Sequence, residues 1–239
     1  MPTKASAPLW KSENPNGAMP ERIQNRMQAN AAILAGGRSS RMNVPKPFLS
    51  LGEQTLCESL VSSFSEAGVQ KIVVVLNAAM VTEEHQTPLQ RIERSANVVA
   101  NHHPERGRAH SIRLAFNSLG KELPAFLHNV DNPVVVPQLL RAMCAALEPG
   151  AFVVPVCDGV NAHPVLVSQE VINALMGLPG DDWILREALR AFRRIEINVT
   201  DHGIKWNLNT PEDYEAFRHQ TIVKEDVLSG NRPHTVVRR

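Results

Sequence analysis

Residues 31–35, 71–76, 97–100, 125–130 and 151–156 carry apolar, often β-branched side chains on consecutive positions rather than alternate ones. A strand with one wet face alternates apolar with polar, whereas a strand apolar on successive positions is covered on both faces. Helical patterns fill the intervals. Leu56, Leu60 and Phe64 recur at i, i+4 and i+8, and Gly68 stands where such a helix stops. A second pattern opens near Ser111 and ends at Gly120, and two more cover 137–147 and 182–192. Thr210-Pro211-Glu212-Asp213 opens the last helix with a hydroxyl cap, a proline in the first turn and carboxylates at the positive end of the dipole. Further strands are expected at 163–168, 195–199 and 204–208. This alternation predicts an α/β fold, a three-layer α/β/α sandwich with a mainly parallel, Rossmann-like sheet and right-handed crossovers.

At 239 residues the chain holds one domain of generous size, or at most two small ones. Pro2, Pro8, Pro15 and Pro20 interrupt any helix in residues 1–30, which read as a flexible leader. The folded domain is expected over 31–220, and the pattern fades into a loose tail over 221–239. The net charge is +1, but leader and tail each carry four basic and two acidic side chains, so the body between them is slightly acidic. Such a body binds phosphate backbones poorly, and 7 Phe, 3 Trp and 1 Tyr offer few stacking platforms. General nucleic-acid binding is therefore not expected. Cys57, Cys144 and Cys157 show no metal-like spacing and cannot all pair, which argues against a disulfide framework and a structural zinc site. No apolar run approaches the roughly 18–20 residues of a membrane span, and no signal-peptide core is visible. The cytoplasm is the default compartment, with no membrane contact; the oligomeric state is not encoded in any pattern.

The segment richest in chemistry is Leu34-Ala35-Gly36-Gly37-Arg38-Ser39-Ser40-Arg41-Met42-Asn43-Val44-Pro45-Lys46-Pro47. A buried strand runs into two glycines and then a loop with three cations. Without a Cβ, backbone N–H groups turn inward and approach a polyanion closely. Arg38, Arg41 and Lys46 are placed to neutralise the phosphates those amides hold. The loop also leaves the carboxyl end of the first strand, where open α/β sheets place ligands. It matches neither GxxxxGK[ST] nor GxGxxG, which excludes a Walker loop and a dinucleotide fingerprint.

Residues 34–42, followed by Pro45-Lys46, closely resemble the opening motif of the MobA-like nucleotidyltransferases, the branch with the molybdenum cofactor guanylyl- and cytidylyltransferases. The resemblance covers roughly Ala31 to Phe217. It implies a nucleotide site formed by Leu34, Ala35, Gly36, Gly37, Arg38, Arg41 and Lys46, with Lys46 and Arg38 acting in catalysis. Asp131, in Asn129-Val130-Asp131-Asn132-Pro133, sits just past a buried strand in what is otherwise a common turn. The family has Asp-x-Pro there, so the resemblance makes Asp131 the catalytic carboxylate that holds Mg²⁺. Asn101 to Ser111 is similar to a stretch that lies along base and ribose, which adds Asn101 and Ser111 to the nucleotide-binding residues. His102 and His103, in the same loop, read as solvent-exposed. Asn209, in Trp206-Asn207-Leu208-Asn209, falls near the family's metal position, although an amide supplies an oxygen without charge.

His163-Pro164-Val165-Leu166 resembles a segment of the cytidylyl side that shapes the acceptor pocket, which makes His163 an acceptor-site candidate. Ala35-Gly36-Gly37 looks instead like the guanylyl side, so CTP and GTP both stay open. The expected reaction is Mg²⁺-dependent transfer of a nucleotide from a nucleoside triphosphate to a small phosphorylated acceptor, such as molybdopterin cofactor, with release of pyrophosphate. A sugar- or polyol-phosphate acceptor, and a nucleotide-binding regulator or chaperone without turnover, are the alternative readings.

Overall fold

The computed structural model describes residues 27–37 and 44–228, with side chains through Gln220. Most of the expected leader, Arg38 and Arg41 of the basic loop, and the end of the expected tail lie outside the described residues.

Strand β1 (Asn30–Ala35) leads through a short 3-10 turn at Lys46–Phe48 into a small hairpin, β2 (Ser50–Leu51) and β3 (Gln54–Thr55). Helix α1 (Leu56–Ala67) follows, then β4 (Ile72–Asn77), α2 (Gln86–Glu93), β5 (Asn97–Asn101), α3 (Gly107–Leu119) and β6 (Ala125–Asn129). The second half contains α4 (Pro137–Ala146), β7 (Ala151–Cys157), β8 (Val160–Asn161), β9 (Val165–Val167), α5 (Gln169–Gly177), α6 (Leu185–Ala188), β10 (Arg193–Asn198) and α7 (Pro211–Leu228). Local chemistry sets several of these ends. Thr55 and Glu58 form a capping box at the start of α1, and Gly68, at φ 89°, closes it in the left-handed conformation.

The strand order is β10-β7-β9-β6-β1-β4-β5, with β8 paired to β7. All neighbours are parallel except β9, which runs against β6 and β7, and β8. The consecutive apolar pattern has a direct cause. Ala31, Ile33 and Ala35 of β1 join one core cluster with α1, α2 and α4, while Ala32 and Leu34 join another with α3 and α5. Helices therefore cover both faces, which gives the expected three layers. From β1 the chain crosses to β4 and β5 on one side, then returns to β6 on the other. The loops after β1 and β6 leave in opposite directions, and that divergence opens a crevice at the carboxyl ends of these two strands.

Five details differ from the sequence reading. Residues 204–208 form no strand; His202–Lys205 is a 3-10 turn because Asp201 accepts from the Gly203 N–H and caps it. Only Leu185–Ala188 of the expected 182–192 helix is α-helical, followed by a 3-10 turn at Leu189–Ala191. Helix α3 starts at Gly107, four residues before Ser111, and α7 continues to Leu228, past the expected start of the tail. Met27 and Ala29, inside the expected leader, are buried in the core.

Candidate active site

The crevice between β1 and β6 holds a cavity of about 330 Å³ lined by Leu34 to Gly37, Lys46, Asp131, Gly107, Arg108 and Ser111. Each wall has a local cause. Asp131 sits in a tight turn: Asn132 N–H donates to the Asn129 carbonyl, and the buried His128 ring Nε2 lies 2.7 Å from the Asn132 carbonyl. The Asn132 side chain donates to the Trp206 carbonyl, and Leu208 N–H donates to the Asp131 carbonyl at 2.7 Å. The turn is thus gripped from β1, where Val130 N–H meets the Leu34 carbonyl, and from the segment before α7.

Lys46 comes from the other side of the crevice. Its Nζ lies 3.6 Å from Asp131 Oδ2 and donates to Asn209 Oδ1 at 3.1 Å. Asn209 is itself fixed, because Asp213 Oδ2 accepts from the Asn209 and Thr210 N–H groups while Thr210 Oγ1 accepts from Asp213 N–H. Those hydrogen bonds hold the Asp213 carboxyl below the usual carboxylate range. Lys46, Asp131 and Asn209, far apart in sequence, therefore converge. The second Asp131 oxygen, Oδ1, is buried and makes no hydrogen bond among the described residues. An anionic oxygen left without a partner beside an amide oxygen is a donor set suited to a hard cation that completes its shell with phosphate and water.

Asn101 and Ser111 sit beneath the glycine turn. Asn101 is fully buried; its Nδ2 donates to Ser111 Oγ at 3.1 Å and its Oδ1 accepts from His103 N–H. This pair lies under Gly36, where an added Cβ would stand 3.0 Å from Ser111 Oγ. The pair holds the glycine turn from below, and Ser111 also borders the cavity. No atom of the described residues lies within 4 Å of where a Gly37 Cβ would stand. His102 and His103 are exposed, as expected.

Arg108 is the residue the sequence reading missed. It lies in the first turn of α3, a helix whose N-terminus has no side-chain cap, so its leading N–H groups and positive dipole end abut the crevice. Crowding in the crevice pulls the Arg108 guanidinium below its ordinary value, while nearby Asp131 acts in the opposite direction. A cation at a helix N-terminus opposes the dipole; that local mismatch is the only signal the sequence offered.

Gly107 and Arg108 also line a second, larger cavity of about 1350 Å³. His163 borders it, together with Phe152, Trp183, Arg190 and Arg194. The Asp181 carboxylate ties this wall together, receiving Arg106, His110 at 3.2 Å and Arg113 at 3.0 Å. Arg113 also donates to the Met176, Leu178 and Gly180 carbonyls. His163 Nε2 accepts from Asn129 Nδ2 at 3.1 Å, which ties this cavity to the Asp131 turn. Burial, then Arg108, lowers the His163 ring to about 4, so it is neutral at pH 7. Burial lowers His128, edge-on to His163, to about 3.

Residues 31–198 match the model of the MobA-like NTP transferase domain. The chain belongs to that family. As a MobA-like protein it is a nucleotidyltransferase. Two curated relatives carry the name "Probable molybdenum cofactor guanylyltransferase". The one from Natranaerobius thermophilus is 23% identical over 201 residues, covering 79% of this chain and 94% of the relative. The one from Carboxydothermus hydrogenoformans is 26% identical over 205 residues, covering 81% and 97%. The fold is shared with Rv0371c from Mycobacterium tuberculosis H37Rv, solved in complex with manganese: TM-score 0.63, 20% identity, 80% of this chain and 98% of that one.

Proposed function

We propose that this MobA-like protein transfers GMP from GTP to the phosphate of a molybdopterin-type cofactor and releases pyrophosphate. The observation that carries this reading is a pair of cavities that share lining residues. The smaller is lined by Leu34 to Gly37, Lys46 and Asp131, the larger is bordered by arginines and aromatic rings, and Gly107 and Arg108 belong to both. A triphosphate and a second phosphorylated molecule would meet at that shared wall. The curated relatives' names favour GTP and a molybdenum cofactor acceptor, and Ala35-Gly36-Gly37 agrees with the guanylyl side.

The chemistry asks for position and charge compensation more than for proton transfer. An ionised acceptor phosphate oxygen attacks the α-phosphorus and pyrophosphate departs, so no general base is required. Backbone N–H groups of the Gly36–Gly37 turn and of the start of α3 would hold phosphate oxygens, with Leu34 and Ala35 bordering them. Lys46 would compensate charge on the transferring phosphoryl group, and Arg38 and Arg41 charge on the leaving pyrophosphate. Asn101 and Ser111 would act by holding the turn. Asp131, assisted by the Asn209 amide oxygen, would hold Mg²⁺, which when bound supplies neutralisation of the phosphate charge. His163 would present a neutral ring to the acceptor.

A second reading, CTP as the donor, is favoured by His163-Pro164-Val165-Leu166. Pyrophosphate release measured with Mg²⁺, the cofactor acceptor, and GTP, CTP, ATP or UTP separates the two. Release with GTP supports the proposal, and release with CTP alone replaces it with the second reading.

A further inference from the structure

At the carboxyl end of β7, outside the residues assigned to nucleotide and acceptor, a thiol, a carboxylate and an imidazole converge. Cys157 Sγ lies 3.8 Å from Asp158 Oδ2 and 3.9 Å from His202 Nδ1, and those last two atoms are 3.1 Å apart. A triangle with these edges encloses a point about 2.1 Å from all three atoms. Zinc sits about 2.0–2.2 Å from nitrogen and oxygen ligands and about 2.3 Å from sulfur. Tetrahedral zinc with those bond lengths holds its ligand atoms roughly 3.3–3.5 Å apart, so shifts of a few tenths of an ångström bring the three atoms onto such an ion.

Different segments deliver the ligands. Cys157 ends β7 and is buried, so its sulfur cannot swing away. Asp158 follows in the β7–β8 turn with φ 53°, paired with Gly159 at φ 75°. His202 opens the 3-10 turn capped by Asp201. Lys205 Nζ, 2.7 Å from the same Asp158 oxygen, supplies a positive charge at this point. Spacings of one and 44 residues match no metal motif, and in the sequence only the spacing of the three cysteines spoke against a structural zinc site.

We propose that Cys157, Asp158 and His202 form a zinc site that staples the β7–β8 turn to the 202–205 segment. Thiolate and imidazole favour zinc over magnesium, whose preferred ligands are oxygens. The thiolate and the carboxylate together balance the charge of the ion, which takes the place of Lys205 on Asp158. Binding releases the thiol proton to solvent, and water completes the tetrahedron on the exposed side of Asp158 and His202. The stapled segment continues into Trp206, Leu208 and Asn209, which grip the Asp131 turn and Lys46. The site stands on its own donor atoms and does not depend on which nucleotide is used.

The test is a Co²⁺ titration of the full-length, metal-stripped protein, read by absorption. One equivalent should produce sulfur-to-cobalt charge transfer together with tetrahedral visible bands, and one equivalent of Zn²⁺ should erase both. An ion at Asp131 has no sulfur ligand and gives no such charge transfer. Cys157→Ser should abolish the signal. His202→Ala, at an exposed position, should keep the fold and weaken binding at least 100-fold. Cys144→Ser should leave the signal intact, since Cys144 is not among the converging ligand atoms. No charge-transfer band in the wild-type protein, a band that survives Cys157→Ser, or unchanged Co²⁺ affinity in His202→Ala overturns the site.

Discussion

Lys46 Nζ lies 3.6 Å from Asp131 Oδ2, and this pair closes the crevice between the loop after β1 and the turn after β6. The ammonium also reaches Asn209, so a single cation spans the carboxylate and the amide between which a nucleotide's phosphates and their metal would enter.

Replacing Lys46 with Ala removes that cation and leaves the backbone in place. Turnover should fall about 10²–10³-fold, the range typical of losing one preorganised donor to a charged transition state. Steady-state pyrophosphate release checks this, and normal kinetics would remove Lys46 from the reaction.

Asp131→Asn keeps the volume of the side chain but removes its charge. Turnover should be lost, along with Mn²⁺ binding measured by calorimetry. The melting temperature should change little, because the turn is held by backbone groups of residues 129–132 and by Asn132, not by the carboxylate.

The two glycines should respond differently. A methyl at Gly36 would press on Ser111 Oγ at 3.0 Å and disturb its bond to Asn101, so Gly36→Ala should lower both stability and activity. A methyl at Gly37 meets nothing within 4 Å among the described residues, so Gly37→Ala should fold normally yet raise the KM for the triphosphate by occupying space beside the cavity. Thermal melts and kinetics on both variants separate the effects.

Acid should destabilise the protein through His163. Above about pH 6.5 the ring is neutral folded or unfolded and contributes no slope. Between there and about 4, the unfolded chain takes up a proton that the buried ring refuses, so stability falls as pH drops. Below the folded value the loss levels off, on the order of 3 kcal/mol. His128 adds a slope of the same sign. Urea unfolding across this range should show a shallower acid limb for His163→Gln, and an unchanged limb would contradict the assignment.

Arg108→Ala should raise the KM for both substrates, because this side chain borders both cavities. An effect confined to one substrate would place Arg108 in one cavity only.

The layered sheet could be read from the sequence because a strand covered on both faces has no choice but to be apolar throughout, and β1, β4 and β7 obey that rule. The glycine turn and Asp131 were legible for a related reason: each follows such a strand, so each falls at the carboxyl rim. What the sequence hid depends on tertiary placement. Ile204, Trp206 and Leu208 alternate like a strand, yet the Asp201 cap turns the chain at His202–Lys205, and the three side chains still pack into or against the core. That the Asn101 amide also holds Ser111 and the His103 N–H depends on contacts that only the fold brings together. Arg108 needed the crossing of α3 over the crevice to gain meaning, as Cys157 needed the distant His202.

The most direct measurement is acceptor-dependent pyrophosphate release from GTP by the wild-type chain and by Asp131→Asn, with Mg²⁺ and molybdopterin cofactor. The account predicts release by the wild type in step with formation of the guanylylated cofactor, and none by the variant. GTP bound by the wild type without pyrophosphate release, or equal release by Asp131→Asn, would contradict it.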